Sequence, residues 1–304
     1  MKKLNLGNTG LEVPVIAVGC MRIDSISKAE ADTFVKSALD LGAVFFDNAD
    51  VYGDGSCEEI FAASLTGVRR DSVFIQTKCG IRKGAAFDFS KGHILKSAEQ
   101  SLERLRTDYI DVLLLHRPDI LVEPEEVAEA FGILHAEGKV RYFGVSNQNP
   151  GQIELLKKYV QQPLAANQLQ FGIAHAGLVS EGLHVNMNDD DAVNRNGGIL
   201  DYCRLQDITV QPWSPFQYGF FEGVFLGSPK YPGLNAKIDE IAGKYGVSNT
   251  TVAMAWILRH PAKMQPVTGT MNPRRLADCV KAAEITLTRD EWYAIYLAAG
   301  NILP

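Results

Sequence analysis

The stretch Val44-Phe45-Phe46-Asp47-Asn48-Ala49-Asp50-Val51-Tyr52-Gly53-Asp54-Gly55-Ser56-Cys57-Glu58-Glu59 joins a short apolar run to an acid and then to a tyrosine in a Gly-rich loop. A continuous β-branched and aromatic run suits a strand buried on both faces, as in a parallel sheet. Val44 to Phe46 is therefore read as such a strand. Asp47 then lies at its C-terminal edge, and Tyr52 lies in the loop leading to the next helix. An acid and a phenol at the exit of a parallel strand are candidates for proton transfer. On this stretch alone they are equally a helix-capping Asp and a Tyr packed on a rim.

Outward from this stretch the same unit recurs in type. Downstream, Val73 to Lys78 leads to a helix starting near Lys91, on which Ile94, Leu95, Ala98, Leu102 and Leu105 share one face at helical spacing. Ile110 to Leu115 leads to a helix from Glu125 to Ala136, opened by Pro124 and closed by Gly138. Val140 to Val145 precedes a helix around Ile153 to Tyr159, and Leu164 to Leu169 precedes one near Ile199 to Leu205. Ile208 to Trp213 leads into the longest irregular loop, and Gln265 to Thr268 into a helix opened by Pro273. Upstream, Val15 to Cys20 reads as a strand, followed by a helix from Lys28 to Leu41 that Ser25 or Ser27 caps and Gly42 ends. Lys3 to Leu6 and Leu11 to Val13, around Asn8-Thr9-Gly10, read as a hairpin.

Eight strand–helix units in alternation make either a doubly wound sheet or a closed barrel. Even spacing, with no Gly-x-Gly-x-x-Gly after the first strand, favours the barrel. The expected fold is α/β, a (β/α)8 TIM barrel forming a single domain over residues 1–304, with an N-terminal hairpin and two extra helices, Asn249 to Arg259 and Arg289 to Ala298. Phe171 to Gly198 does not alternate and reads as a surface insertion. Its run of acids Asp189, Asp190 and Asp191 lacks the residue order of a calcium loop and reads as solvated.

Composition narrows the function. With 304 residues, 46% of them hydrophobic, the chain can bury the core of one barrel, a fold of about 250 residues. A net charge of −6 gives no basic surface for nucleic acid or anionic membrane. Five cysteines, odd in number and without a C-x-x-C pair, argue against a disulfide framework or a zinc site. Six histidines without H-x-H spacing argue against a metal hydrolase. The N-terminus has no apolar signal region, and no run approaches the roughly 18 apolar residues of a membrane span. The expected protein is cytoplasmic, a monomer or weak homo-oligomer acting on a small molecule.

In a parallel barrel, polar residues just past the strand ends share one rim. Asp47 and Tyr52 are joined there by Lys78, which ends the third apolar run, and by His116, which follows the fourth. A tyrosine ionises near pH 10 in water, about three units too high for ready proton exchange, and a neighbouring ammonium lowers that value. Lys78 can supply the charge, Asp47 can hold Lys78, and His116 can orient a carbonyl or pass a proton. Asp50, Asp54 and Glu58 in the same loop read as surface charges.

The pattern Asp-x-Ala-x-x-Tyr-Gly, here Asp47 to Gly53, resembles that of the aldo-keto reductase family, with Asn48 where a Thr is usual. The resemblance continues through Lys78, His116, Gly144-Val145-Ser146-Asn147, Asn167-Gln168, Trp213-Ser214-Pro215 and Gly269 to Leu276, so it spans nearly the whole chain. It is nearest to the bacterial branch with a short C-terminal tail. The resemblance implies NADPH-dependent reduction of an aldehyde or ketone without metal, Tyr52 acting as general acid supported by Asp47, Lys78 and His116. It also implies the cofactor contacts: Ser146, Asn147 and Gln168 on the carboxamide, Trp213 stacked on the nicotinamide where a Tyr is commoner, and Ser214, Phe216 and Gly219 along the pyrophosphate. Thr270 and Arg275 are implied for a 2′-phosphate, with the helix opened at Pro273, and Asp278 lies near the adenine beside Cys279, which replaces an Asn. NADPH is expected over NADH. Met21 is placed among the cofactor contacts and, with Arg22, Arg117 to Asp119 and the aromatic run Phe216 to Phe221, around the substrate pocket. The aromatic rim either favours apolar or aromatic carbonyls or simply covers the barrel mouth. The alternative is a cofactor-binding regulatory or redox-sensing subunit with little turnover, as in potassium-channel β subunits.

Overall fold

In the computed structural model, which describes all 304 residues, eight parallel strands close into a barrel in sequence order. They are β1 (Ala17–Gly19), β2 (Phe45–Asp47), β3 (Phe74–Cys79), β4 (Ile110–Leu115), β5 (Val140–Ser146), β6 (Leu164–Gln170), β7 (Thr209–Trp213) and β8 (Val267–Thr268). Around them run α1 (Lys28–Asp40), α2 (Ser56–Ser64), α3 (Lys91–Leu105), α4 (Pro124–Ala136), α5 (Pro150–Lys157), α6 (Gly177–Leu183), α7 (Ile199–Leu205), α8 (Pro232–Tyr245), α9 (Asn249–Leu258), α10 (Pro273–Lys281) and α11 (Arg289–Ala298). No helix is long and apolar enough to cross a membrane.

The period of two along each strand explains why the runs are apolar on both faces. Phe46 points outward onto Phe61 of α2, with ring centroids 4.8 Å apart, while Phe45 points into the barrel with Val112 and Leu114. Outward residues join the large core of 63 buried side chains between strands and helices. The lower part of the interior is apolar and is closed from below by the hairpin Lys3–Asn5 and Glu12–Pro14, whose Leu4, Leu6 and Val13 pack on Ala17, Phe45 and Val267. Gly7 at the hairpin's tip donates its N–H to Thr209 Oγ1 at 2.7 Å, seating the plug.

Local chemistry sets the helix ends. Ser27 and Glu30 form a reciprocal capping box on α1, and Asn149 with Gln152 does the same for α5 behind Pro150. Two helices depart from the expected pair of extras. α8 fills much of the region read as an irregular loop after β7, burying Leu234, Ile238, Ile241 and Ala242 at helical spacing. α6 lies within the segment read as a surface insertion, and Phe171, Ile173, Leu178 and Val179 there are core residues. Only the part from Val185 to Gly198 is a largely exposed loop, because the preceding apolar residues have a helix layer to pack against.

Candidate active site

The upper half of the barrel interior is polar. Alternation brings Asp47 of β2 and Gln76 and Lys78 of β3 to the inside, and Asp47 pairs in register with Gln76. Lys78 is fully buried, and its Nζ donates to Asp47 Oδ2 at 2.8 Å, to the carbonyl of Asn48 at 2.7 Å and to Tyr52 Oη at 3.2 Å. The ammonium thus has three oxygen partners and loses little by leaving water. Tyr52 reaches it from a tight turn in which Gly53 and Asp54 both have positive φ, 55° and 53°. The imidazole of His116, just past β4, meets the Tyr52 ring edge-on at 5.7 Å between centroids.

Electrostatics here depart from the sequence expectation in two respects. Burial raises the Tyr52 phenol above its ordinary value and outweighs the opposing pull of Lys78, so the tyrosine stays protonated in the free protein. Burial also pushes His116 well below its ordinary value, aided by Lys78 and Arg117, so its ring is neutral and is not a proton source at neutral pH. Burial opposes the charge of Lys78 as well, but Asp47 and Tyr52 together hold it above its ordinary value.

Beneath this group lies a chain of buried amides absent from the sequence reading. Gln265 Nε2 donates to the carbonyl of Pro14 at 2.7 Å, and Gln211 Nε2 donates to Gln265 Oε1 at 2.8 Å and to Gln76 Oε1 at 3.1 Å. Gln76 Nε2 donates to Asp47 Oδ1 at 2.6 Å, and Gln168 Nε2 donates to the same oxygen at 3.0 Å. Asp47 Oδ1 is therefore fixed by two amides, which leaves Oδ2 for Lys78. The signal in the sequence was a Gln at an inward position of four strand regions, at Gln76, Gln168, Gln211 and Gln265.

Above the group opens a cleft of about 1320 Å³, larger than the roughly 300–1,000 Å³ of a pocket for one drug-sized ligand. Asp47, Tyr52 and His116 line it, as do Met21, Ser146, Asn147, Gln168, Trp213, Ser214, Phe216, Thr270 and Arg275, whereas Lys78 lies behind Asp47 and Tyr52 and does not line it. Gly219 and Asp278 lie outside its walls: the Gly219 carbonyl accepts from Gln170 Nε2 at 2.8 Å, and the Asp278 carbonyl accepts from Thr251 Oγ1 at 2.9 Å. At the mouth of α10 the backbone N–H groups of Arg274 and Arg275 are capped by Asn272 Oδ1, at 2.9 and 3.2 Å, so an anion there would meet side chains rather than open helix N–H groups. Of the three acids read as surface charges only Asp54 is one. Glu58 is fully buried, accepting from Thr77 Oγ1 at 2.6 Å and Arg104 Nε at 2.7 Å, and burial raises the mostly buried Asp50 to about 7.

A closed barrel with a buried Asp–Lys–Tyr group under a large cleft agrees with what sequence comparison finds. The model of the aldo/keto reductase family matches residues 15–297. The chain belongs to the aldo/keto reductase family. It is 35% identical over 285 residues to the uncharacterized oxidoreductase YcsN of Bacillus subtilis, covering 90% of this chain and 89% of that protein. It is also 35% identical over 308 residues to a 6-dehydroglucose reductase of Agrobacterium fabrum, covering 96% of each. Among solved structures, the thermostable aldo-keto reductase Tm1743 in complex with the inhibitor epalrestat superposes with a TM-score of 0.78 at 27% identity, over 98% of this chain and 100% of that one. As an aldo/keto reductase the protein is an oxidoreductase of carbonyl compounds, in a family that uses nicotinamide cofactors. Two departures from the family pattern, Asn48 and Trp213, lie at the site. The Asn48 side chain is wholly buried and its amide has no partner, while its backbone carbonyl serves Lys78. The Trp213 indole N–H donates to Asn147 Oδ1 at 3.2 Å, which holds the ring in the cleft wall.

Proposed function

We propose that this protein is a single-domain, cytoplasmic enzyme that reduces an aldehyde or ketone to the alcohol with NADPH, Tyr52 giving the proton. The observation that carries this reading is the fully buried Lys78 ammonium, hydrogen-bonded to a phenol that lines the cleft. Bound nicotinamide supplies the hydride to the carbonyl carbon. Tyr52, held protonated by burial, donates from Oη to the carbonyl oxygen as charge develops there, and Lys78 stabilises the phenolate left behind. Asp47 keeps Lys78 charged and in place. His116, neutral and with Nδ1 buried without a partner, has Nε2 left to hold the carbonyl oxygen.

The residues present suit the cofactor. Gln168 spends Nε2 on Asp47 and Gln211 and keeps Oε1 as an acceptor for a carboxamide, beside Ser146, Asn147 and the stacking face of Trp213. Arg275, exposed at the cleft and outside any ion pair, with Thr270 beside it, favours the 2′-phosphate of NADPH over NADH. Two relatives are named 6-dehydroglucose reductases, so a sugar-derived aldehyde belongs among the test substrates. The deciding experiment compares wild type with Tyr52→Phe for cofactor binding, by titration with NADPH and NADH, and for carbonyl-dependent loss of NADPH absorbance. NADPH is expected to bind more tightly than NADH to both proteins, and turnover of the variant to fall by about 10²–10⁴, the range for a general acid. Full turnover by Tyr52→Phe would refute the role of Tyr52. Tight NADPH binding by wild type without turnover on any carbonyl would mark a regulatory subunit instead.

A further inference from the structure

Arg117 follows His116 directly and lines the cleft half-buried, yet it takes part in no ion pair and donates no hydrogen bond within the protein. The other partly buried arginines are engaged. Arg70 binds Asp111 and the carbonyls of Val73 and Tyr109, Arg104 binds Glu58, and Arg259 binds the Leu287 carbonyl. Nearby carboxylates are already committed elsewhere. Asp119, two residues on, accepts from the N–H groups of Phe89 and Leu121, both at 2.9 Å. Asp47 is held by Lys78, Gln76 and Gln168, and Glu30 on the cleft wall by Ser27.

What positions Arg117 is an aromatic face. Its Cζ lies 5.4 Å from the centroid of the Trp213 ring, a contact that spends none of its N–H donors and leaves them for a ligand in the cleft. Its charge reaches both Tyr52 and His116. Withdrawing a guanidinium from water without a counter-ion is unfavourable, and the deficit is removed when a planar anion binds both N–H edges. Phe221, stacked at 6.0 Å, and Phe220, edge-on at 6.4 Å, also pack on Trp213 and line the cleft.

We infer that Arg117 is the counter-ion of a substrate carboxylate, and that the natural substrate is an oxo acid whose carboxylate lies a few bonds from the carbonyl and whose remainder is apolar. The short separation follows from the chain: the residue that receives the carboxylate is adjacent to the one that orients the carbonyl. This inference rests on the reductase reading and adds the substrate class to it.

The test uses matched pairs, benzoylformate with its methyl ester and 4-formylbenzoate with its methyl ester, measured as kcat/KM with NADPH for wild type, Arg117→Gln and Arg117→Lys. Taking the acid-to-ester ratio cancels any general loss of activity in a variant. The ratio is expected to fall at least tenfold in Arg117→Gln for one or both pairs, mainly through the KM of the acid, with Arg117→Lys in between. A smaller fall in both pairs overturns the inference. Calorimetric binding of benzoate and benzamide to the NADPH-loaded wild type gives an independent readout, benzoate being expected to bind tighter. Turnover of the esters without any Arg117-dependent acid preference would leave a reductase whose anion site is refuted. Benzoate preference that Arg117→Gln removes, in a protein that reduces neither these four compounds nor any other carbonyl, sugar-derived aldehydes included, would refute the reductase reading and sustain the anion site.

Discussion

Lys78 and Asp50 lie within one loop's reach of each other and show opposite outcomes of burying a charge. Lys78 has Asp47, a carbonyl and a phenol around it and remains an ammonium. Asp50 has Glu58 nearby, its Oδ1 is buried without a partner, and burial raises it to about 7 from an ordinary 3.8. Between those two values the folded protein binds a proton that the unfolded chain has released. Asp50 therefore costs nothing below the lower value, and its penalty grows with rising pH and is complete above the upper one. Asp50→Asn should raise the melting temperature more at pH 8 than at pH 5. An equal gain at both pH values, or none at pH 8, would contradict the burial of this carboxyl. The chemistry of these residues was legible in part. An acid, a phenol, a lysine and a histidine at the ends of successive apolar runs were visible as a group, but the direction of the Tyr52 shift was not. That direction depends on how much water the finished fold removes from around the ring.

At the scale of elements, β3 does most to build the site, since its two inward polar residues are Gln76 and Lys78. Replacing Gln76 with Leu leaves buried Gln211 Oε1 with only the long 3.3 Å bond from Gln168, and takes one of two amide donors from Asp47 Oδ1. Such deficits cost about 1–3 kcal/mol each. Gln76→Leu should lower the denaturant midpoint by a corresponding amount at unchanged slope, and a midpoint equal to wild type would show that the amide chain adds no stability. Apart from Gln168, the inward glutamines looked unremarkable in the sequence because a Gln in a strand carries no signal of which face it occupies until the register is known. α8 is the reverse case. Leu234, Ile238, Ile241 and Ala242 have readable helical spacing with Pro232 before and Gly246 after, and only the length of the surrounding segment hid them.

At the scale of the whole molecule the barrel has two ends with different tasks. The lower end is apolar and plugged by the hairpin, and the upper end is polar and open to the cleft. The plug fits tightly at Gly7, where φ is +56° and a Cβ would come within 2.5 Å of the Ala165 carbonyl oxygen, a backbone atom that cannot swing aside. Gly7→Ala should therefore cost about 1–3 kcal/mol, seen as a lower melting temperature, with little change in kcat because the floor is remote from the cleft. A melting temperature equal to wild type would mean that the hairpin is not seated as described.

The amino-acid sequence by itself determined the eight apolar runs, their alternation with helices, the caps that end them and the polar residues at their exits, since each depends on periodicity and on chemistry between near neighbours. Closure of the barrel decided the rest. It brought Gln76 and Gln211, 135 residues apart, into contact beneath Asp47. It set the burial that keeps Tyr52 protonated, and it left Arg117 in the cleft wall with no partner of its own. These properties depend on which distant side chains meet and on how much water they exclude, and neither quantity exists until the strands are paired in register.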